Sequence, residues 1–216
     1  MSQLFLNMIR RGETAEIAAA VEENPALARY RDAQGVSALM WSIYTRQAVI
    51  RDFLRLHAGD CDIHEAAALG DCDRLHVLIA GDAMLARAIS ADGWPPLHLA
   101  AAFATPEAVT LLLEHGAHIH QLSHNAMRSQ ALHAAVTLGD SLETVRLLLE
   151  AGAEVNATQA GGYAPLHHAA ANGNAALSQL LVQYNADRTA CCDQGKKPSD
   201  YARERGHEDL AATLDA

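Results

Sequence analysis

The chain has 216 residues, 50% of them hydrophobic but only 5% aromatic, and a formal net charge of −10. This acidic balance argues against a nucleic-acid partner, because binding to the phosphate backbone needs a basic surface. Four cysteines are too few for a disulfide scaffold, and the longest uncharged stretch, 155–186, is too polar for a membrane span, which together indicate a cytoplasmic protein.

Short helices alternate with turns from the start of the chain. A helix predicted over 3–11 is interrupted at Gly12, and a second helix over 13–23 ends before Pro25. The turn signal at 32–35 separates this first pair from a second pair of short helices. The apolar residues of the first helix are Leu4, Phe5, Met8 and Ile9.

The clearest pair of helices lies within 93–117. Pro95-Pro96 opens its first helix, Thr105 can cap the second, and Pro106 occupies a position where no amide hydrogen is needed. Gly116 ends the second helix, because glycine tolerates a positive φ. A pair this small cannot bury its own apolar face, so it needs copies stacked on either side.

Such copies recur along the chain at intervals of about 34 residues. A histidine stands in the same apolar context at His64, His98, His133 and His167, and Asp200 takes the equivalent place in the last copy. The period and the Pro-Leu-His opening resemble those of the ankyrin repeat, and the resemblance covers nearly the whole chain.

The resemblance implies an all-α fold, an ankyrin-repeat solenoid of about seven helix pairs linked by β-hairpin fingers. It identifies the chain as a single-domain ankyrin-repeat protein of bacterial type, spanning residues 1–216. The last pair is richly charged, as a terminal cap requires because its outer face has no neighbour. The expected parts are an N-terminal capping pair over 1–34, pairs over 35–61, 62–92, 93–127, 128–161 and 162–194, and a C-terminal capping pair over 195–216.

One repeat is shorter than the others. The interval from Met40 to His64 is about nine residues short of one period, and the deficit falls around 57–60. Two helices need most of the residues that remain. We therefore expect the finger between the second and third pairs to be missing or reduced, which leaves a gap in the row of fingers.

A second regularity relates the first half of the chain to the middle. A shift of about 58 residues superposes the first two pairs on the third and fourth, with Gly12 on Gly70. The same shift places the Leu-Ala-Arg of 27–29 on that of 85–87. Because Leu-Ala-Arg is not part of the common ankyrin template, we interpret this as a duplicated double repeat. The alternative is chance on top of a shared template.

The resemblance also indicates where a partner would bind. In the ankyrin family, contact residues lie on the fingers and on the last turn of each first helix, along a concave wall. Such aromatic-rich sets are typical of binding hot spots, and aromatic side chains are unfavourable when left in solvent. The alternative is that these large side chains pack between neighbouring repeats. The candidate partner-binding residues are Tyr44, Asp92, Trp94, Phe103, Met127, Leu138, Tyr163 and Asn172.

The finger between the fourth and fifth pairs is longer and rich in histidine. Its surplus residues fall within 116–128, where they could extend the finger toward a partner or be a harmless insertion. His118 and His120 would face the same way on a strand and could hold zinc, with His124 as a third ligand and His115 nearby. The alternative is solvated or locally hydrogen-bonded histidines. We predict no bound metal and no cofactor.

These observations predict a non-catalytic protein that binds another protein through its concave surface. Neither nucleic acid nor a membrane is expected as a partner, and polar ends favour a monomer. By resemblance to the family, the repeated histidines bond to backbone between neighbouring repeats, so we expect no catalytic role for them. Two alternatives remain: a metal-binding or enzymatic protein that uses the hairpin 115–124, and a domain-sized fragment or subunit whose activity lies in a permanent partner.

Overall fold

The computed structural model describes residues 2–139 and 141–216, over which short α-helices follow one another in pairs. The pairs are α1 (Ser2–Arg11) with α2 (Thr14–Glu23), α3 (Ala38–Tyr44) with α4 (Ala48–Ala58), α5 (Ile63–Leu69) with α6 (Cys72–Gly81), α7 (Pro96–Phe103) with α8 (Pro106–Glu114), α9 (Ala131–Thr137) with α10 (Leu142–Glu150), α11 (Pro165–Ala171) with α12 (Ala175–Gln183), and α13 (Pro198–Glu204) with α14 (Glu208–Asp215). The first helices of consecutive pairs pack on one another and form the inner row, from α1 to α13. This arrangement confirms the all-α solenoid predicted from the repeat.

Each pair buries its apolar opening against its neighbours. Leu97, Leu132 and Leu166 stand at equivalent places in three successive inner helices, and each is only 1% exposed. Burial of one such leucine contributes about 2 kcal/mol. None of the helices in the described part of the chain has the length and apolar character that crossing a bilayer would require.

In five of the pairs, the turn between the two helices contains one residue with a left-handed backbone. Four of the pairs use Gly12, Gly70, Gly173 and Gly206, whose φ angles lie between 67° and 82°. The second pair places Arg46 at this position, with φ of 55°. A left-handed conformation is unfavourable for a residue with a Cβ atom, so Arg46 is the exception that needs an explanation.

The fingers between pairs are tight turns rather than the predicted β-hairpins. Among the described residues the nearest feature to a strand ladder is one isolated antiparallel bridge, between Arg31 and Ser37. A finger this short has no length for a ladder, although the first finger has a second bond across its base, from the Ala38 N–H to the Tyr30 C=O at 2.8 Å. The closing bonds run from the N–H of one residue to the C=O four positions on, for Asp32 to Val36 (2.9 Å), Ser90 to Trp94 (3.0 Å), Gln159 to Tyr163 (3.0 Å) and Cys192 to Lys196 (3.0 Å).

The finger between the fourth and fifth pairs is longer, as predicted from the period. Its closing bond runs from the Ser123 N–H to the Ser129 C=O at 2.8 Å, so it encloses two more residues than the other fingers. Neighbouring fingers are also linked through their backbones. His124 N–H donates to the Gly93 C=O at 2.8 Å, and Ala160 N–H donates to the Met127 C=O at 2.9 Å.

This close contact between fingers leads to a test at Gly93. A Cβ atom there would lie 2.8 Å from the backbone nitrogen of Asn125, and φ of Gly93 is 88°. We expect Gly93→Ala to lower the free energy of unfolding by about 2 kcal/mol, measured by urea denaturation. Gly81→Ala is the matched control, because its Cβ would meet nothing within 4 Å at the end of α6. The control should be neutral or stabilising, and equal effects of the two changes would contradict this packing.

The finger between the second and third pairs is reduced, as predicted. Helix α4 ends at Ala58 and α5 begins at Ile63, with Asp62 and Glu65 forming a capping box at the start of α5. The finger 32–36 consequently reaches the finger 90–94. A Cβ atom placed on Gly35 would lie 2.9 Å from the Cβ of Ala91. The gap in the row is thus closed by direct contact between the fingers on either side of it.

The shift of about 58 residues relates segments of the same conformation. The two Leu-Ala-Arg segments lie in 3-10 turns, over Pro25–Arg29 and Ala83–Arg87. Asn24 and Asp82 cap these turns by accepting a bond from the amide two residues on, at 3.2 and 2.9 Å. The two segments therefore share one conformation, and the duplicated double repeat stays an interpretation of this likeness.

The histidine of each repeat bonds to the backbone that follows the pair, as the family resemblance implied. His98, His133 and His167 are each 1% exposed. Asp200, in the last pair, accepts a bond from the Lys197 N–H at 2.9 Å instead. The Nε2 partners are the C=O groups of Ala88 for His64 (3.3 Å), Ser129 for His98 (2.8 Å), Tyr163 for His133 (3.2 Å) and Lys196 for His167 (3.2 Å).

Candidate functional site

Four of the predicted binding residues line one cavity of about 230 Å³ on the inner row of helices. They are Tyr44 at the end of α3, Trp94 on a finger, Phe103 at the end of α7, and Leu138 after α9. We call this cavity the apolar pocket, because the rest of its wall is also mostly apolar. The other lining residues are His98, Leu99, Ala102 and Ala134.

The aromatic walls of the apolar pocket support one another. The Tyr44 ring lies 5.7 Å from the Phe103 ring, and the Trp94 ring lies 6.0 Å from the His98 ring. The Tyr44 hydroxyl donates to a carboxylate oxygen of Asp92 at 2.7 Å. Burial, with a further contribution from Asp92, holds the pKa of Tyr44 far above its usual range, so the hydroxyl stays neutral.

The sequence left open whether the aromatic side chains are exposed on the concave wall or packed between repeats, and in the structure they are partly exposed and partly packed. Tyr44, Trp94 and Phe103 are half-buried, and each packs on the core at its base. Their remaining surface faces the pocket, where a bound side chain could cover it. A half-buried aromatic wall is typical of a binding site, because it is rigid before the partner arrives.

A second cavity, of about 280 Å³, lies directly beside the apolar pocket. The two cavities share Ala102, Phe103 and Leu138 as a common wall. We call the second cavity the arginine pocket, because Arg46 and Arg51 line it. The other lining residues are Ser42, Ile43, Gln47, Ala48 and Ala68.

Arg46 crosses the arginine pocket. Its guanidinium donates to the C=O of Leu138, which joins the second pair to the fifth. Arg51 lies one turn into α4 and pairs with the exposed Asp52 beside it at 2.8 Å. Within the described residues, the lining of this pocket contains no carboxylate.

The other predicted binding residues do not line the apolar pocket. Asp92 supports the pocket through Tyr44, as described above, while Met127 is exposed on the long finger. Tyr163 packs on Tyr201, with the ring centres 5.7 Å apart. Asn172 is exposed at the end of α11. The eight predicted residues therefore fall into one compact group and a scattered remainder.

Sequence reasoning missed the polar neighbours of this site. Trp41 was not predicted, although Arg10 lies over its ring at 4.3 Å and its ring stands 6.1 Å from that of Tyr44. Arg46 was also not predicted. The signal that could have found it is the absence of glycine at a turn where four other pairs have one.

The histidine-rich stretch does not form the strand that would have aligned two of its side chains. His118 and His120 are exposed, and the chain turns at 119–120. A ring nitrogen of His115 bonds to the Leu111 C=O at 2.9 Å, so this histidine is held locally. Within residues 2–139 and 141–216, no group of three or more metal-binding side chains comes together.

The histidines near the inner row are held neutral. Burial lowers the pKa of His98 and of His133 to about 4, from the usual 6.5. His98 Nδ1 is buried without a partner, because the residue at the start of its helix is Pro95, which has no N–H. Both rings therefore act as fixed hydrogen-bonding groups, and that of His98 forms part of the wall of the apolar pocket.

Comparison with known proteins identifies the family to which the repeats belong. A model described as three copies of the ankyrin repeat matches residues 63–159, and a single ankyrin repeat model matches 161–193, together more than half of the chain. The chain is similar to the ARF GTPase-activating protein GIT1 of Homo sapiens, with 42% identity over 87 residues, or 40% of this chain and 11% of that protein.

Two further relatives show the same partial overlap. The B-cell lymphoma 3 protein homolog of Mus musculus is 41% identical over 96 residues, or 44% of this chain and 21% of that protein. Protein phosphatase 1 regulatory subunit 27 of Homo sapiens is 41% identical over 70 residues, or 32% of this chain and 45% of that protein. Each match covers less than half of the relative's own length.

Proposed function

The chain belongs to the ankyrin-repeat family, and on that premise we propose that it is a non-catalytic module that binds another protein. The proposed contact surface is the concave side formed by the inner helices and the fingers. The apolar pocket is the observation that carries this proposal. It gathers Tyr44, Trp94 and Phe103 in a chain that is only 5% aromatic.

The pocket fits one large apolar side chain of a partner. A cavity of about 230 Å³ with an aromatic wall can exclude water from such a side chain on several sides. Tyrosine and tryptophan contribute strongly at interfaces, because they bury much area while losing little conformational entropy. We propose that Met127, Tyr163 and Asn172 extend the contact along the same side, outside the pocket.

The cellular location, the class of partner and the oligomeric state are also proposals. All four cysteines are free thiols, with Cys61 and Cys192 buried, which supports a reducing cytoplasm. The net charge of −10 supports a protein partner rather than nucleic acid or a membrane. We propose a monomer, because charged residues such as Arg203 and Asp215 cover the last pair, where they bond at 2.8 Å.

Leu138 and Leu142 offer a matched test of this function. Both leucines are similarly exposed, 37% and 40%, but only Leu138 lines the apolar pocket. A photo-crosslinking amino acid at position 138 should capture a partner in the native cell, and one at position 142 should not. With the captured partner purified, Leu138→Ser should weaken its binding by about tenfold, and Leu142→Ser should leave it unchanged.

The same pair of variants separates binding from stability. Leu138→Ser and Leu142→Ser should each change the free energy of unfolding by less than about 1 kcal/mol, because both side chains are exposed. Equal capture from positions 138 and 142, or equal affinities of the two serine variants, would contradict a contact centred on the apolar pocket.

A further inference from the structure

Arg46 has the left-handed backbone conformation that this turn uses, but the turn does not require an arginine there. Its N–H donates to the Ile43 C=O at 3.0 Å, and Gly12 makes the equivalent bond to Ile9 at 3.1 Å. Glycine would therefore close this turn without strain. The arginine is kept at a conformational penalty, and such strained residues often carry function.

The exposed side chain of Arg46 extends along the inner row. Its guanidinium reaches the Leu138 C=O, at the rim shared by the arginine pocket and the apolar pocket. A guanidinium has five N–H donors in a planar fork, and one backbone carbonyl oxygen can engage only part of this fork. The geometry of the fork suits a carboxylate, which can accept two parallel bonds.

The charges around the arginine pocket also favour the binding of a carboxylate. Arg46 and Arg51 bring two cations and Gln47 brings a further donor, in a chain whose net charge is −10. Asp52, which pairs with Arg51, is exposed, and an exposed pair of this kind contributes little. The pocket therefore attracts an anion against the overall charge of the protein.

We infer that the partner presents an acidic side chain next to a large apolar one. The apolar side chain would enter the apolar pocket, and the carboxylate would bind Arg46 and Arg51 across the wall formed by Phe103 and Leu138. This inference rests on the proposed function and adds the chemistry of the partner segment. Arg46 then contributes to the choice of partner, because a neutral segment has no carboxylate to accept bonds from the N–H groups of its guanidinium.

The inference can be tested with a random peptide library displayed on phage and selected against the full chain. Selected peptides should carry Asp or Glu within three positions of Leu, Ile, Phe or Trp. A synthetic selected peptide should lose about tenfold in affinity when its acid is changed to the amide. The loss should shrink as salt is added.

Matched variants of the protein complete the test. Arg46→Gln with Arg51→Gln should weaken the peptide about tenfold and should abolish its preference for acid over amide. Arg188→Gln with Arg205→Gln removes the same charge at exposed positions outside both pockets, and should leave affinity unchanged. Arg46→Gly should bind the acidic peptide less tightly while melting no lower than the parent, because glycine relieves the turn.

The outcomes distinguish this inference from the proposed function. Peptides that need Leu138 but show no acidic preference would overturn the inference and leave the proposed function standing. An acidic preference that survives in the Arg46 and Arg51 double variant would do the same. Selected peptides whose binding is indifferent to Leu138→Ser would overturn the proposed function, and the inference with it.

Discussion

Replacing His133 with alanine is expected to lower the free energy of unfolding by about 3 kcal/mol. The side chain is 1% exposed and joins two repeats. Its Nε2 bonds to the Tyr163 C=O at 3.2 Å, and its Nδ1 accepts from the Gln130 N–H at 3.3 Å. Alanine would leave both backbone groups buried without a partner and would also leave a cavity.

His120→Ala provides the control for this prediction. His120 is exposed in a turn, so its removal should change the free energy of unfolding by less than about 0.5 kcal/mol. Urea denaturation followed by far-UV circular dichroism measures both variants. Similar midpoints for His133→Ala and His120→Ala would mean that the repeat histidines do not hold the repeats together.

The second large effect is a loss of stability in mild acid. Burial lowers the pKa of His98, His133 and His168 to about 4, whereas an unfolded chain protonates histidine near 6.5. Between pH 6.5 and pH 4 the unfolded state therefore binds more protons than the folded state. The free energy of unfolding falls as the pH falls through this window, by roughly 3 kcal/mol at most for each of the three histidines.

His168 allows the origin of this pH dependence to be tested. Its Nε2 is buried without a partner, and its ring lies 5.7 Å from that of Tyr163. His168→Phe keeps an aromatic ring of similar size but cannot titrate. The slope of stability against pH should fall by roughly a quarter, because burial lowers the pKa of His167 as well. His120→Gln should leave the slope unchanged. An unchanged slope in His168→Phe, measured by urea denaturation from pH 7 to pH 4, would contradict the assignment.

The repeat architecture could be predicted from residues because its determinants are local. The period of the histidines, the prolines that open helices and the glycines that close turns all act within one pair or between adjacent pairs. The missing finger followed from chain length alone, since too few residues separate Met40 from His64 to form one. The predicted β-hairpins are reduced to tight turns, because a finger of about five residues has no room for a strand ladder.

The binding residues were predicted less well than the fold. The resemblance selected positions by their place in the repeat, so it could not say which of them meet. Tyr44, Trp94, Phe103 and Leu138 line one pocket, while Tyr163 lies against Tyr201 and outside that pocket. Whether an aromatic side chain is exposed or packed depends on the neighbouring repeats, which a single position does not reveal.

By itself, the sequence determined the helix pairs, their order and the place of the missing finger, since each of these depends on short-range bonds and on chain length. Only the tertiary structure decided that Arg46, in the second pair, reaches Leu138, in the fifth. The reduced finger after α4 lets the finger 32–36 touch the finger 90–94, and this accompanies the approach of Tyr44 to Phe103. Each pair packs on the next with a small rotation and shift, and these accumulate along the row. Contacts between distant pairs depend on their sum, which a local sequence pattern does not predict.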